Sequence, residues 1–403
     1  MGTQMKVILY VLDGCQVKAL KRVDTLEARE IRRRALIYEN AKTIYPSLTG
    51  PGHASILTGV QPGSHGLISH MYWDWDGGVK NIYSDAAFES PTLFELLAKR
   101  GVKSQGHGNY FRRGINDPYT RRMLKWLANR VEGSATISSA VDSMPVLERF
   151  VKRRVAGTLE GVDEKIADSA EPVHYVVDNH VDKSSHKYGP ESTEYHKSIE
   201  SALSSILQLL NTLDSRRQEY TVIVTSDHGH MSVDDKLQAD DLDLSGAGYP
   251  IKETKLLNAN LVVTYGEAEV TAVAVVVSRH IQVYVKDKTK IGRIAQALYS
   301  KRFVDRLLVG GEIGEWGVTN ARTGDIIGSL KENMGFAELP IGERGDHGGF
   351  TDDEMNVPLW LLGPRIAPAT KSGGRTVDIA PTVHRLLGVN PNGARYDGEP
   401  LGF

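Results

Sequence analysis

The chain of 403 residues predicts an α/β protein: a doubly wound, mostly parallel central sheet flanked by helices, with a helical cap insertion and a small α+β insertion. Three observations predict it. Val7-Ile8-Leu9-Tyr10-Val11-Leu12, Thr221-Val222-Ile223-Val224-Thr225 and Val357-Pro358-Leu359-Trp360-Leu361-Leu362 are almost unbroken apolar runs, the pattern of strands covered on both faces. Amphipathic helical stretches lie between them. Two of the runs end in polar residues beside glycine, Asp13-Gly14 and Asp227-His228-Gly229, and ligand sites in open α/β sheets form beyond the carboxyl ends of strands.

In chain order, residues 5–13 form the first strand. Thr49 then stands at the mouth of a helix. Pro51 suits the first turn, where its missing N–H is not needed. Ala54-Ser55-Ile56-Leu57-Thr58 continues the helix and Gly59 ends it. The segment Ser90–Ala98 has a cap, a first-turn Pro91 and an amphipathic stripe, closed by Gly101. A further strand opens at Val102. Residues 110–172 are helical in period, rich in Arg and Lys, and poor in strand signals; they read as a cap over the site. His174 to Asp182 returns to strand character. Residues 193–213 form a helix with Ile199, Leu203, Ile206, Leu207 and Leu210 on one face, and a strand at 221–226 follows. Between 233 and 345, Asn260–Gly266, Val270–Ser278 and Ile281–Lys286 read as hairpin strands and Ile291–Phe303 as a helix, the small α+β insertion. A last helix spans about 377–387, with Gly388 as its stop.

Length allows one large α/β domain with insertions or two domains; a single domain over residues 1–403 is the expectation. Hydrophobic content of 40% with 24% charge is globular, and a net charge of −2 gives no global attraction to nucleic acid or membranes. Arg32-Arg33-Arg34 and Lys152-Arg153-Arg154 read as solvated helix faces. Cys15 is the one cysteine, so no intrachain disulfide forms. Without a signal-peptide pattern or a run of ~18 apolar residues, the expected location is the cytoplasm.

A hydroxyl at a helix N-terminus meets exposed N–H groups and a positive dipole end, which stabilise an alkoxide or a phosphoryl oxygen. Thr is also an ordinary helix cap, and both readings of Thr49 stay open. Asp13, Asp182, His186, Asp227, His228 and His347 are candidate metal ligands. Asp182 and His186 stand four apart, and His347 lies in Gly345-Asp346-His347-Gly348-Gly349. Singly, each also reads as a turn residue or surface pair. Together, carboxylates and imidazoles without thiolate suit zinc, manganese or iron(II). The set exceeds the needs of one catalytic metal, and two cations ~4 Å apart fit it better. His174, His180 and His230 read as supporting or structural histidines.

The order of these motifs resembles the alkaline phosphatase superfamily, in its nucleotide pyrophosphatase/phosphodiesterase (type I phosphodiesterase) and phosphonoacetate hydrolase branch. The matching pieces are Leu12-Asp13-Gly14, Pro46-Ser47-Leu48-Thr49-Gly50-Pro51-Gly52-His53, Thr58-Gly59, Ser64-His65-Gly66, Asp182 with His186-Lys187-Tyr188-Gly189-Pro190, Ser226-Asp227-His228-Gly229, His347-Gly348-Gly349, Asp378-Ile379-Ala380-Pro381-Thr382 and Asp397-Gly398. The resemblance implies an alkaline-phosphatase-like fold and two divalent metal ions, zinc before manganese or iron. Asp182, His186 and His347 would hold one ion. Asp13, Asp227 and His228 would hold the other, which also binds the Thr49 oxygen.

The implied activity is hydrolysis of phosphodiester or nucleotide pyrophosphate bonds through a covalent phosphoryl-threonine on Thr49, with the Gly50 amide on a phosphoryl oxygen. Phosphonate or phosphomonoester hydrolysis is the alternative, and a non-catalytic phospho-ligand protein the third reading. The implied partner is a small phosphorylated substrate, neither a nucleic-acid polymer nor a membrane. One departure stands out: His70 occupies the place where diesterase members usually carry an Asn donor. Tyr72, with Trp73 and Trp75, is a candidate stacking surface for substrate or a core patch. His107, Tyr110, Arg112 and Arg113, at the start of the cap, are candidates to read an anionic group.

Overall fold

The strand Lys6–Leu12 is buried along its whole length because a parallel neighbour lies on each side, Val173–Asp178 and Tyr220–Thr225. In the computed structural model, which describes residues 5–115, 159–257, 260–336, 344–391 and 393–403, these strands are the centre of a seven-stranded sheet. Its order is Ala369–Ser372, Leu36–Glu39, Leu359–Leu362, Tyr220–Thr225, Lys6–Leu12, Val173–Asp178, Ser104–His107. Leu359–Leu362 runs against both its neighbours, and the other pairings are parallel. This is the doubly wound, mostly parallel sheet expected from the apolar runs.

Side chains alternate across a strand, and here the alternation divides two helical layers. Val7, Leu9 and Val11 pack with Ala54, Ile56 and Leu57 of the helix Thr49–Thr58 and with Ile379 and Val383 of the helix Ile379–Leu387. Ile8, Tyr10 and Leu12 pack on the opposite layer, with Ile31 of Leu26–Arg34 and with Ile199, Leu203, Ile206 and Leu210 of Thr193–Ser215. That long helix starts where the Ser192 hydroxyl accepts from the Tyr195 amide, a cap worth about 1 kcal/mol. Each fully buried aliphatic side chain on its inner face contributes about 1.5–3 kcal/mol.

Two expectations about element boundaries need correction. The helix after Ser90 covers Leu93–Ala98 and is capped by Thr92, whose side chain pairs reciprocally with Glu95. Pro91 therefore precedes the cap instead of filling the first turn. The strand expected to reach Asp182 stops at Asp178, and His180–Tyr188 is a helix. Only Val181 and Ser185 of that helix are buried, one turn apart, so the segment has one apolar stripe and no second face to bury in a sheet.

Residues 251–330 build a second sheet of six antiparallel strands, in the order Ile251–Leu257, Asn260–Tyr265, Ala272–Val277, His280–Val285, Ile326–Leu330, Val304–Val309. One face, with Val263, Ala274, Val276 and Val283, packs on Ile294 and Leu298 of the helix Ile291–Tyr299. The other, with Val262, Val273, Val275 and Val277, packs on Met71 and on Leu48, the residue just before Thr49. Of the helical insertion expected at 110–172, residues 116–158 lie outside the described residues; Val162–Asp168 is a helix. Among the described residues no helix is long and apolar enough to cross a membrane.

Candidate active site

The carboxyl ends of the central strands deliver the polar residues. Asp13 follows Lys6–Leu12 directly, and its amide donates to the Asp178 carbonyl at 3.0 Å. Asp227 and His228 follow Tyr220–Thr225. The Gly14 amide donates to Asp227 Oδ1 at 3.2 Å, and the Ser226 hydroxyl donates to the Leu12 carbonyl at 2.6 Å, tying the two strand ends together. Asp182 and His186 lie one turn apart on His180–Tyr188, so both side chains leave the same face.

Thr49 is the first residue of its helix, and the preceding Leu48 supplies no side-chain cap. Its hydroxyl does not cap the helix; Oγ1 lies 3.1 Å from His228 Nε2. The helix reaches this point because Gly52 lets its backbone approach the strand end: a Cβ there would lie 2.7 Å from the Asp227 carbonyl oxygen. His347 arrives from the other side. Its Nδ1 donates to the Ser47 carbonyl at 2.9 Å, and the Ser47 hydroxyl donates to the Gly349 carbonyl at 2.9 Å.

One hydrogen-bond pattern recurs. His228, His186 and His347 each direct Nδ1 at a backbone carbonyl, of Gly229, Gly345 and Ser47 respectively, at 2.9 Å in every case. A carbonyl only accepts, so a proton sits on Nδ1, and in the neutral ring Nε2 presents a lone pair. Those lone pairs face carboxylate oxygens. His228 Nε2 is 3.3 Å from Asp227 Oδ2 and 3.6 Å from Asp13 Oδ1; His186 and His347 Nε2 are 3.3 and 3.9 Å from Asp182 Oδ1. Acceptor faces acceptor in a buried site, an arrangement that a cation between them relaxes. Asp13 Oδ1 and Asp227 Oδ2 are buried without a hydrogen-bond partner among the described residues. The donor set therefore fits divalent cations, in overlapping groups: Asp182, His186, His230 and His347; Asp13, Asp182 and His228; and Asp13, His53 and Asp227.

Electrostatics agree with that crowding. Burial, and then the charges of Asp227 and Asp182, push the Asp13 carboxyl well up. Asp227 is also raised, by burial and by Asp182, against the pull of His228. Burial opposes ionisation of Asp182, but His186 and His230 beside it hold its carboxyl well below the ordinary range. Burial, and then neighbouring His228, His230 and His186, push His347 well down, so that its ring is neutral.

The substrate-binding candidates separate. The Gly50 amide donates to His70 Nε2 at 3.3 Å, so that nitrogen of His70 is an acceptor here. Tyr83 presses its ring on Gly50 and meets His70 edge-on at 4.8 Å. The Arg322 guanidinium lies 5.9 Å from the ring of Tyr72, which is partly buried against two hydrophobic clusters, one under each sheet. Arg113 is taken up by Glu95 at 2.8 Å and by the Phe88 carbonyl, and His107 by His174 at 3.2 Å. Tyr110 does reach the site, donating its hydroxyl to Asp13 Oδ2.

Sequence reasoning missed His53 and Tyr83, and read His230 only as a supporting or structural histidine. His53 is buried, with Nε2 3.4 Å from Asp227 Oδ2; its place one turn after Thr49 was the available signal. His230 is buried against Asp182 at 2.9 Å, and the signal was its position two residues after His228. Nothing in the spacing pointed to Tyr83.

A doubly wound sheet with a carboxylate–imidazole cluster on its carboxyl edge and a helix-terminal hydroxyl beside it defines a protein of the alkaline-phosphatase type. The chain belongs to the type I phosphodiesterase / nucleotide pyrophosphatase family, whose model matches residues 7–349. It is similar to human bis(5'-adenosyl)-triphosphatase ENPP4, 25% identical over 230 residues, covering 56% of this chain and 47% of that protein. The aligned part thus spans about half the length of that relative. The bovine protein of the same name is 25% identical over 397 residues, covering 96% of this chain and 79% of its own. Among solved structures, murine ectonucleotide pyrophosphatase/phosphodiesterase 5, in an inactive threonine-to-alanine form with AMP, superposes with a TM-score of 0.69 at 16% identity over 98% of each chain.

Proposed function

We propose that this chain hydrolyses phosphodiester or nucleotide pyrophosphate bonds with Thr49 as the nucleophile. The observation that carries this is the position of Thr49 Oγ1: first residue of a helix, uncommitted to capping, and 3.1 Å from His228 Nε2 within a cluster of carboxylates. Asp182, His186 and His347 would hold one divalent cation, and Asp13, Asp227, His228 and the Thr49 oxygen the other, a mixed imidazole and carboxylate set without thiolate that suits zinc. Such ions, when bound, lower the pKa of a hydroxyl and neutralise charge on a phosphoryl group.

The protein's own groups do the rest. The N-terminal turn of the helix aims the hydroxyl and offers backbone N–H groups to an anion. Thr49 Oγ loses its proton to solvent and attacks phosphorus, the bond to the leaving oxygen breaks, and that oxygen leaves with a proton from solvent. Water then cleaves the phosphoryl-threonine and restores the hydroxyl. The Gly50 amide stabilises the phosphoryl oxygen, which requires His70 to give up the hydrogen bond it accepts from that amide. Tyr110 holds Asp13 by its second oxygen. The names of the relatives, and the AMP in the murine neighbour, support a nucleoside phosphate as the small substrate.

The test is turnover of bis(p-nitrophenyl) phosphate, a diadenosine polyphosphate, p-nitrophenyl phosphate and phosphonoacetate by one zinc-loaded preparation. The first two should exceed the others. Thr49→Ala should lower turnover by roughly 10⁴-fold or more with an unchanged circular dichroism spectrum. Full activity in that variant would refute the nucleophile, and a preference for phosphonoacetate or for the monoester would move the reading to the alternative chemistry.

A further inference from the structure

His230 and His53 are buried imidazoles beside these carboxylates that the assignment above leaves unused. His230 is fully buried, yet its Nδ1 has no hydrogen-bond partner among the described residues. Its Nε2 and those of His186 and His347 converge on one atom, Asp182 Oδ1, at 2.9, 3.3 and 3.9 Å. The three rings stand around a common centre: their centroids are 4.8 Å apart for His186–His230, 5.0 Å for His230–His347 and 5.2 Å for His186–His347. Four ligand atoms held tetrahedrally at zinc distances lie about 3.3 Å from one another, and imidazole centres so held lie about 5 Å apart. The near equality of the three ring separations is what a shared cation requires and what a chain of hydrogen bonds does not.

The backbone makes room for this ring. Gly14 has a φ of +67°, and a Cβ there would lie 2.8 Å from His230 Nε2 and Cδ2. The glycine after Asp13 thus seats His230 as well as turning the chain.

We infer that His230 is a fourth protein ligand, with Asp182, His186 and His347, of one divalent cation. This rests on the two-cation reading above and deepens it. Four protein ligands close a tetrahedral site, whereas catalytic sites keep a position open. The two cations are therefore unequal. The one at Asp182 is enclosed by three nitrogens and one oxygen and is held tightly. The one beside Thr49, among Asp13, Asp227 and His228, is richer in oxygen and more easily lost.

The experiment needs no turnover. The apoprotein is loaded with one equivalent of zinc, and X-ray absorption counts the imidazole rings at the metal; three are expected, and two would overturn the inference. In parallel, zinc retention against a graded chelator is compared between the unsubstituted protein, His230→Gln and His230→Ala. Gln keeps an N–H donor for Asp182 but replaces the imidazole ligand. Both variants should lose the tighter zinc, with affinity down by about 100-fold or more. Retention by His230→Gln equal to that of the unsubstituted protein would make His230 a hydrogen-bond donor to Asp182 only and overturn the inference. If neither variant folds, the ring count on the unsubstituted protein decides. An unsubstituted protein that binds no zinc at all would instead refute the two-cation reading from which this one follows.

Discussion

The two sheets are both buried on two faces, yet only one of them ends in chemistry. The seven-stranded sheet is mostly parallel, so its strands point the same way and the residues after Leu12, Asp178 and Thr225 gather at one edge. The six-stranded sheet is antiparallel, so consecutive strands end on opposite sides and no such edge forms. Its part is support. Val273, Val275 and Val277 press on Leu48, the His280 ring pairs with the Tyr45 hydroxyl at 2.8 Å, and the Arg279 amide donates to the His347 carbonyl at 3.0 Å. Strand direction decides where reactive groups converge; packing decides how firmly they are held.

Damage at the first sheet's edge should abolish turnover with the fold retained. Asp227→Asn should lower activity at least about 10³-fold while far-ultraviolet circular dichroism stays unchanged, and chelation of the unsubstituted protein should do the same, reversibly with zinc. Damage in the second sheet should do the opposite. Arg279→Met removes one member of a fully buried ion pair with Glu354, 2.9 Å apart, and should cost about 3–5 kcal/mol in denaturant unfolding. Ile281→Ala, in the core facing away from the site, should cost about 2–4 kcal/mol with kcat unaltered; a large fall in kcat at full folding would break the division of labour.

The smallest effect is one of pH. Burial pushes the His280 ring down to about 3, so it is neutral in the folded protein, whereas an unfolded His titrates near 6.5. A depressed folded pKa gives stability that is complete above about 6.5 and fades as pH falls toward 3. Between pH 7 and 5 one such ring removes about 2 kcal/mol. Urea unfolding of His280→Phe should show a pH dependence weaker by that amount; an unchanged slope would place the acid sensitivity elsewhere.

The first sheet was legible because its strands are continuous apolar runs and its candidate ligands sit where those runs stop. Asp13, Asp227 and His228 needed nothing more. Asp182, a candidate ligand, was placed at a strand end, since Val173–Asp178 passes into a helix after only one intervening residue, Asn179. The hydroxyl of Thr49 carried two readings, and only the distance to His228 separates them. Partners joined across long stretches of chain were out of reach. Tyr83 on Gly50, Tyr110 on Asp13 and Arg279 on Glu354 are set by tertiary packing, and no local period encodes them.

Arg279 also donates to the carbonyls of Lys331, Leu330 and Met334, while its Glu354 partner accepts from the Gly349 amide at 2.8 Å. The guanidinium thus clamps the tether of His347 to a distant hairpin. A random-mutagenesis screen for poorly expressed variants would recover this arginine among its hits, and the molecules that did fold would still turn substrate over.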